Sequence, residues 1–354
     1  MNWQEAVKWR KLCEKKKNNI GYKTIDNNLK KMKNNRKYIL FIGTIALLFV
    51  GYIIADKMLF NGIKPKSIHE NGFYADYFVK ENTKNTTAVI LIGGGQWGNY
   101  WAQQFANKEM AGLSIPYTGK ESLPILPEEI ELEYFEKAIH WLIKQPEVNP
   151  NKIVVMGASK NAELALIIAS TFPEFIKGVV AYAPSAVSWS NTVLPYNSDE
   201  LKPSWKYKGI EIPYVPMHKI MGNETNKITL LEYWKKGLAK TDFTTQAAIK
   251  VEKINGPIIL FSGNDDKVWP SSIMADMIAK RLEDHGFKHS FQNIKYDNAG
   301  HLISNNPDDT SSYKTGIINI HGKKYEYEFG GNDNGNFKVK QDAKIKLMEF
   351  IEKI

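Results

Sequence analysis

Ser159, Asp266 and His301 are residue types that together turn a hydroxyl into a nucleophile, and each lies in a short turn-forming stretch. Ser159 sits in Gly157-Ala158-Ser159-Lys160-Asn161, the acid in Ser262-Gly263-Asn264-Asp265-Asp266, and the imidazole in Asn298-Ala299-Gly300-His301. Serine at its free pKa is a weak nucleophile. Histidine takes its proton, and a carboxylate fixes the imidazole tautomer and stabilises the imidazolium. Asp266 is favoured over Asp265 because it stands three residues past Gly263, while Asp265 can close the turn as an Asx-type cap. His69, His140, His218, His285, His289 and His321 lack such a setting and read as surface or packing residues. Taken alone, Ser159 would equally suit a helix N-cap.

Acyl chemistry also needs backbone donors for an oxyanion. Gly93-Gly94-Gly95-Gln96-Trp97-Gly98 follows an apolar run and is assigned the first donor, at Gln96, with Gly95 as the neighbouring candidate. The N–H of Lys160, directly after the serine, is assigned the second. The same six residues fit G-x-G-x-x-G, so a dinucleotide site competes. That reading wants an acid ending the next strand, but Gly112–Tyr117 runs into Thr118-Gly119-Lys120. It also leaves Ser159, Asp266 and His301 without a purpose. No cofactor is expected, and no Cys/His cluster or H-E-x-x-H run suggests a metal. Asn161 takes the place of the second glycine of G-x-S-x-G, the residue that lets helix and strand backbones approach. Asparagine tolerates unusual φ/ψ but adds bulk that can loosen the turn, and the sequence leaves its effect on the elbow open.

The segments that must position these residues alternate short β-rich runs with longer helical ones. Strands are expected at Thr87–Ile92, Lys152–Met156, Gly178–Ala183, Pro257–Ser262 and Ser290–Tyr296. Helices are expected at Pro127–Lys144, Ala162–Ser170 and Ser271–His285, the first carrying acids early and apolar residues at helical spacing. Continuous apolar strands between helices argue a mostly parallel sheet covered on both faces. Ser, then Asp, then His, each just past a strand, is the order of the α/β-hydrolase fold. Ser185–Lys253 breaks the rhythm with Pro, Trp and Tyr and reads as an inserted cap.

The charge is unevenly distributed. Residues 1–37 hold twelve Lys/Arg against Glu5, Glu14 and Asp26, a surplus equal to the net charge of +9 of the whole chain. Tyr38–Ala55 is then a run of 18 uncharged, mostly apolar residues, spanning roughly 27 Å as a helix at ~1.5 Å per residue. A basic cytoplasmic tail (1–37), a transmembrane helix (38–58) and an extracytoplasmic domain (59–354) with a cap at about 185–253 are therefore expected. A buried core helix would rarely follow so basic a run, and Gly51-Tyr52-Ile53-Ile54-Ala55 lacks a small-x-small cleavage site. No Cys follows the run, which excludes a lipoprotein anchor. The basic charge is confined to the tail, where anionic lipid explains it better than nucleic acid. Cys13 is the sole cysteine, so the domain of about 295 residues has no disulfide and must rely on its core.

The sequence resembles the C-terminal catalytic domain shared by acyl-CoA thioester hydrolases and bile acid-CoA:amino acid N-acyltransferases, in particular its bacterial members. The matching stretches include Gly93–Gly98, Leu123-Pro124 with Ile130–Phe135, and Gly157-Ala158-Ser159-Lys160 with Ala162-Glu163. Trp205–Gly209, Ile212-Pro213-Tyr214, Gly256–Leu260, Gly263–Pro270 and Ala299-Gly300-His301 complete the match. The resemblance implies an α/β-hydrolase fold with a triad at Ser159, Asp266 and His301, and cleavage or transfer of acyl groups held as thioesters. Some members of that family use Cys as nucleophile; Ser here favours hydrolysis. A membrane anchor stands where eukaryotic members carry a β-sandwich domain. The expected activity is a serine acyl hydrolase acting on acyl thioesters or esters. An extracytoplasmic carboxylesterase or acyltransferase on envelope lipids and a non-catalytic membrane-anchored binding protein are the competing expectations.

Two weaker signals remain. Trp189, Trp205, Tyr207, Tyr214 and Trp234 suit either an acyl-chain pocket or the insert's own small core. Asn332-Asp333-Asn334-Gly335-Asn336 lacks the bidentate Glu of a calcium loop and reads as a hairpin turn.

Overall fold

A run such as Ala88–Ile92, apolar at every position, has no polar face to give to water and must be covered on both sides. The computed structural model describes residues 3–60, 63–69, 72–191, 200–217, 220–307, 314–320 and 322–354. It meets that demand in the second of two units, Met1–Gly62 and Ile63–Ile354.

The first unit holds a single helix, α1 (Trp3–Phe60). Within it Asn35–Ala55 has a mean hydropathy of 2.4 and no buried residue, long and apolar enough to cross a membrane. The basic stretch expected as a tail is helical too, continuous with the apolar one.

The second unit begins with β1 (Lys66–Ile68), β2 (Ala75–Phe78), β3 (Thr86–Ile92), α2 (Gly95–Asn107), β4 (Ala111–Ile115), β5 (Ile130–Glu131) and α3 (Glu133–Ile143). Next come β6 (Val148–Ala158), α4 (Lys160–Thr171), β7 (Gly178–Tyr182), β8 (Trp205–Tyr207), β9 (Ile210–Glu211), α5 (Leu230–Leu238) and α6 (Thr241–Ala247). The chain closes with β10 (Ile258–Gly263), α7 (Ser271–Asp284), β11 (Phe291–Tyr296), β12 (Thr315–Ile320), β13 (Lys323–Glu328) and α8 (Asp333–Glu352). Eight strands form one sheet in the order β1-β2-β4-β3-β6-β7-β10-β11. β2 pairs antiparallel with both neighbours, and every other pair is parallel. This is the α/β-hydrolase fold.

Alternate residues of each strand feed opposite cores. Ala88, Ile90, Ile153, Val155 and Leu260 pack with Phe135 of α3, Leu164 of α4 and Ile278 of α7. Val89, Leu91, Met156 and Phe261 pack on the other face with Phe105 of α2 and Leu347 of α8. In the insert β8 and β9 pair, and β5, which precedes it in the chain, completes a three-stranded sheet. Trp189 and Trp205 are wholly buried and Trp234 nearly so. Trp189 meets Trp234 edge-on at 4.7 Å, and all three join the same apolar core as Ile90 and Leu260 of the sheet. Residues 192–199 and 218–219 of the expected cap, and with them His218, lie outside the described residues, as does His321.

Two expectations are corrected. Pro127–Lys144 is not one helix: only Glu133–Ile143 is helical, and Ile130-Glu131 is drawn into pairing with Trp205-Lys206. Asn332–Asn336 is not a hairpin turn. Asn332 caps α8 by accepting from the Gly335 N–H at 2.8 Å, while the hairpin is made earlier, by β12 and β13. Helix α8 escaped detection because its buried stripe (Val339, Lys340, Ala343, Leu347, Phe350, Ile351) itself includes a lysine and is flanked by others. Because Leu347 is fully buried, Leu347→Ala should cost about 2–5 kcal/mol in urea unfolding of the full chain. Ile345→Ala, at a position 59% exposed, should cost at most about 0.5 kcal/mol.

Candidate active site

Ser159 occupies the one-residue step between β6 and α4, at φ 58° and ψ −125°. L-residues rarely adopt such a conformation, and when one persists the surrounding structure must impose it. Gly157 permits it, since a Cβ there would lie 2.1 Å from the Asn161 carbonyl oxygen. The Ser159 side chain makes no capping hydrogen bond to α4. Its hydroxyl instead lies 2.9 Å from His301 Nε2.

On the other side of the ring, His301 Nδ1 lies 2.8 Å from Asp266 Oδ2. A carboxylate only accepts, so Nδ1 carries the hydrogen and Nε2 is free to accept from the serine. Asp266 is buried and its remaining lone pairs are used. Oδ1 accepts from the Val268 and Trp269 N–H groups at 2.9 and 3.2 Å, and Oδ2 from the Ser271 hydroxyl at 2.7 Å. Asp265 points elsewhere, 2.6 Å from Lys267 Nζ and accepting from the Gly331 N–H at 2.8 Å. Burial alone would raise its carboxyl, but Lys267 and the Gly331 amide hold it below the usual carboxylate range.

The loop bearing His301 is fastened from several elements. His301 N–H donates to the Phe329 carbonyl at 2.9 Å, and Gly300 N–H to Asn336 Oδ1 at 3.0 Å. The indoles of Trp97 and Trp101 both donate to the Ser304 carbonyl at 3.0 Å. Of the remaining histidines within the described residues, His69, His140 and His285 are exposed and His289 is half-buried. Gln96 is the second residue of α2 and Lys160 the first of α4. N–H groups at such positions have no partner within their own helix and are open to an acceptor.

Sequence reasoning missed the side chain of Lys160 and its partner. Lys160 Nζ donates to Glu163 Oε1 and Oε2 at 2.8 and 2.9 Å and to the Trp189 carbonyl at 3.1 Å. It also lies 5.0 Å from the Trp205 ring centroid. Glu163 Oε1 accepts in addition from the Trp189 N–H and the Trp205 indole at 3.1 and 2.7 Å. The pair therefore ties the insert to the helix that follows Ser159. The i,i+3 spacing was the only signal, and it is common on helix surfaces. Ser271 also went unnoticed, and its spacing from Asp266 carries no signal.

The match to known proteins follows these landmarks. Residues 130–354 fit the family model described as BAAT / Acyl-CoA thioester hydrolase C terminal. The chain belongs to this family. The matched region contains Ser159, Asp266 and His301 and begins after the Gly93–Gly98 loop. Human acyl-coenzyme A thioesterase 6 is 27% identical over 297 residues, 82% of this chain and 66% of that protein. Mouse mitochondrial acyl-coenzyme A thioesterase 2 is 30% identical over 299 residues, 82% and 60% respectively. Mouse acyl-coenzyme A amino acid N-acyltransferase 2 is 28% identical over 247 residues, 68% and 55%. The chain thus spans about two thirds or less of the length of these family members. Among solved structures, MGS-M1, an α/β hydrolase from a Medee basin deep-sea metagenome library, has 16% identity and a TM-score of 0.41. That likeness covers 69% of this chain and 86% of the other, too remote to add to what the strand order already establishes.

Glu163 has no exposed side-chain surface, while Lys160 keeps about a fifth of its own. Burial pushes the Glu163 carboxyl up and the Lys160 amine down, and the partner's charge draws each back. Lys160→Met strands the carboxylate and should cost about 3–5 kcal/mol near neutral pH in thermal unfolding. Without its partner the Glu163 pKa rises further in the folded state, so stability is lost as pH rises through that value. The variant's deficit should narrow below about pH 4.3, where the carboxyl is neutral folded and unfolded alike.

Proposed function

We propose that this chain is a serine acyl hydrolase that cleaves acyl thioesters or esters, with Ser159 as nucleophile, His301 as general base and acid, and Asp266 as the acid that orients it. The observation that carries the reading is the unbroken hydrogen-bond path from Asp266 through His301 to the Ser159 hydroxyl. Membership of the thioester hydrolase family supports the substrate class.

Ser159 Oγ attacks the acyl carbonyl carbon as His301 Nε2 takes its proton. The backbone N–H groups of Gln96 and Lys160 hold the oxyanion, in the direction favoured by the N-termini of α2 and α4. The carbon–sulfur bond breaks, and His301 returns the proton to the departing thiolate. Water then attacks the acyl-serine, His301 takes a proton from it, and Ser159 recovers its hydrogen as the carboxylic acid leaves. Asp266 remains ionised throughout and stabilises the imidazolium. No cofactor enters these steps.

The reading extends to location: α1 crosses the membrane once at about residues 38–58, with residues 1–37 cytoplasmic and residues 59–354 extracytoplasmic. The apolar stretch Asn35–Ala55 and the basic residues before it support this. Free acyl-CoA is scarce outside the cytoplasm. That favours, as second reading, an esterase or acyltransferase acting on envelope lipids through the same residues.

Acyl-CoA and p-nitrophenyl esters of matched chain length, assayed on the full chain in detergent, separate these readings. Thioester preference supports the first and ester preference the second. Ser159→Ala should lower kcat/KM by at least about 10³-fold and Asp266→Asn on the order of 10⁴-fold. A wild-type chain that hydrolyses neither substrate and takes no fluorophosphonate at Ser159 leaves a binding protein and overturns the proposal. In intact cells, an added protease should degrade residues 59–354; protection until lysis would refute the orientation.

A further inference from the structure

The residue that departs from the usual elbow pattern stands two positions after Ser159. Asn161 is the second residue of α4, and its side chain bridges two other segments. Tyr117, buried and just past the end of β4, donates its hydroxyl to Asn161 Oδ1 at 2.7 Å. That bond turns Nδ2 toward the glycine loop, where it lies 2.2 Å from the position a Cβ would take on Gly93. Gly93 has φ 105°, so glycine is required there twice over, for its backbone angle and for the amide pressed against it. The loop is confined from its other side as well. Gly93 N–H donates to the Ile115 carbonyl at 3.0 Å, and a Cβ on Gly94 would lie 2.7 Å from Pro116 N. The space that a glycine at 161 would leave is filled by an amide, and Gly93 supplies the missing room.

We infer that Asn161 is a positioning residue that sets the glycine loop, and so the Gln96 N–H, against the strand-to-helix turn of Ser159, with Tyr117 locking the amide in place. The inference rests on the proposed hydrolase reading, because the loop matters to turnover only if it stabilises an oxyanion. Asn161 touches neither His301 nor Asp266 through any hydrogen bond the structure records, so its effect on catalysis runs through the loop. A displacement of the order of 1 Å at a donor costs up to about 10²-fold in rate.

The test uses the full-length protein in detergent with the acyl substrate that the wild type hydrolyses. Asn161→Ala and Asn161→Gly should each lower kcat by about 10- to 100-fold, with KM changed less than about threefold and thermal unfolding still cooperative. Tyr117→Phe should lower kcat in the same direction, and its combination with Asn161→Ala should be no slower than Asn161→Ala alone, since Tyr117 acts through that amide. Asn161→Gln, which restores an amide on a longer stem, should recover part of the loss. Hydrogen exchange at the amides of residues 96–99 should accelerate in Asn161→Ala whether or not turnover is measured. Wild-type kcat in Asn161→Ala, unchanged exchange in the loop, or losses that simply add in the double variant would each overturn the inference. An inactive, unlabelled wild type would instead sink the hydrolase reading, while the exchange experiment would still report on the loop.

Discussion

A serine held at φ 58° between a central strand and a helix is the constraint on which the rest of this molecule depends. Such a conformation costs on the order of 1–3 kcal/mol and persists only if both flanking elements are immovable. β6 lies between β3 and β7 in the middle of the sheet. On the other side, α4 buries an unbroken run from Ala162 to Ala169, apolar except for the paired Glu163, which fixes it in position. Burial on that scale offsets the local strain and holds the hydroxyl where a ring from β11's following loop can meet it.

The same turn is where the insert is attached. Lys160 and Glu163 flank the start of α4 and collect the Trp189 backbone and the Trp205 indole around one buried carboxylate. From there edge-on contacts run from Trp189 to Trp234 at 4.7 Å, to Trp269 at 5.2 Å and on to the His301 ring at 5.9 Å. The insert's aromatic core therefore continues to the imidazole, and a buried polar cluster of this kind fixes geometry more than it adds stability. Cap, nucleophile turn and histidine loop share one packed interior.

Much of this was readable in the chain. β3, β6, β7 and β10 announce themselves because burial on both faces demands apolar residues at every position. Elements with one wet face were harder. α8 carries a narrow apolar stripe among lysines and opens on an Asn-Gly pair that equally suits a hairpin, and β5 is two residues long in an acid-rich stretch that reads as a helix start.

Residue types and their order were legible in the chain alone: a hydroxyl, a carboxylate and an imidazole, each just beyond a strand, because strand patterning and turn chemistry are local properties. Which of two adjacent aspartates faces the imidazole was settled by the folded chain. Gly331, 66 residues away, and Lys267 of the same turn claim Asp265, and the Val268 and Trp269 amides with the Ser271 hydroxyl aim Asp266. Folding also brought the Asn161 amide between Tyr117 and Gly93. These partners lie 44 and 68 residues away in the chain, and no local pattern records a contact made across a sheet.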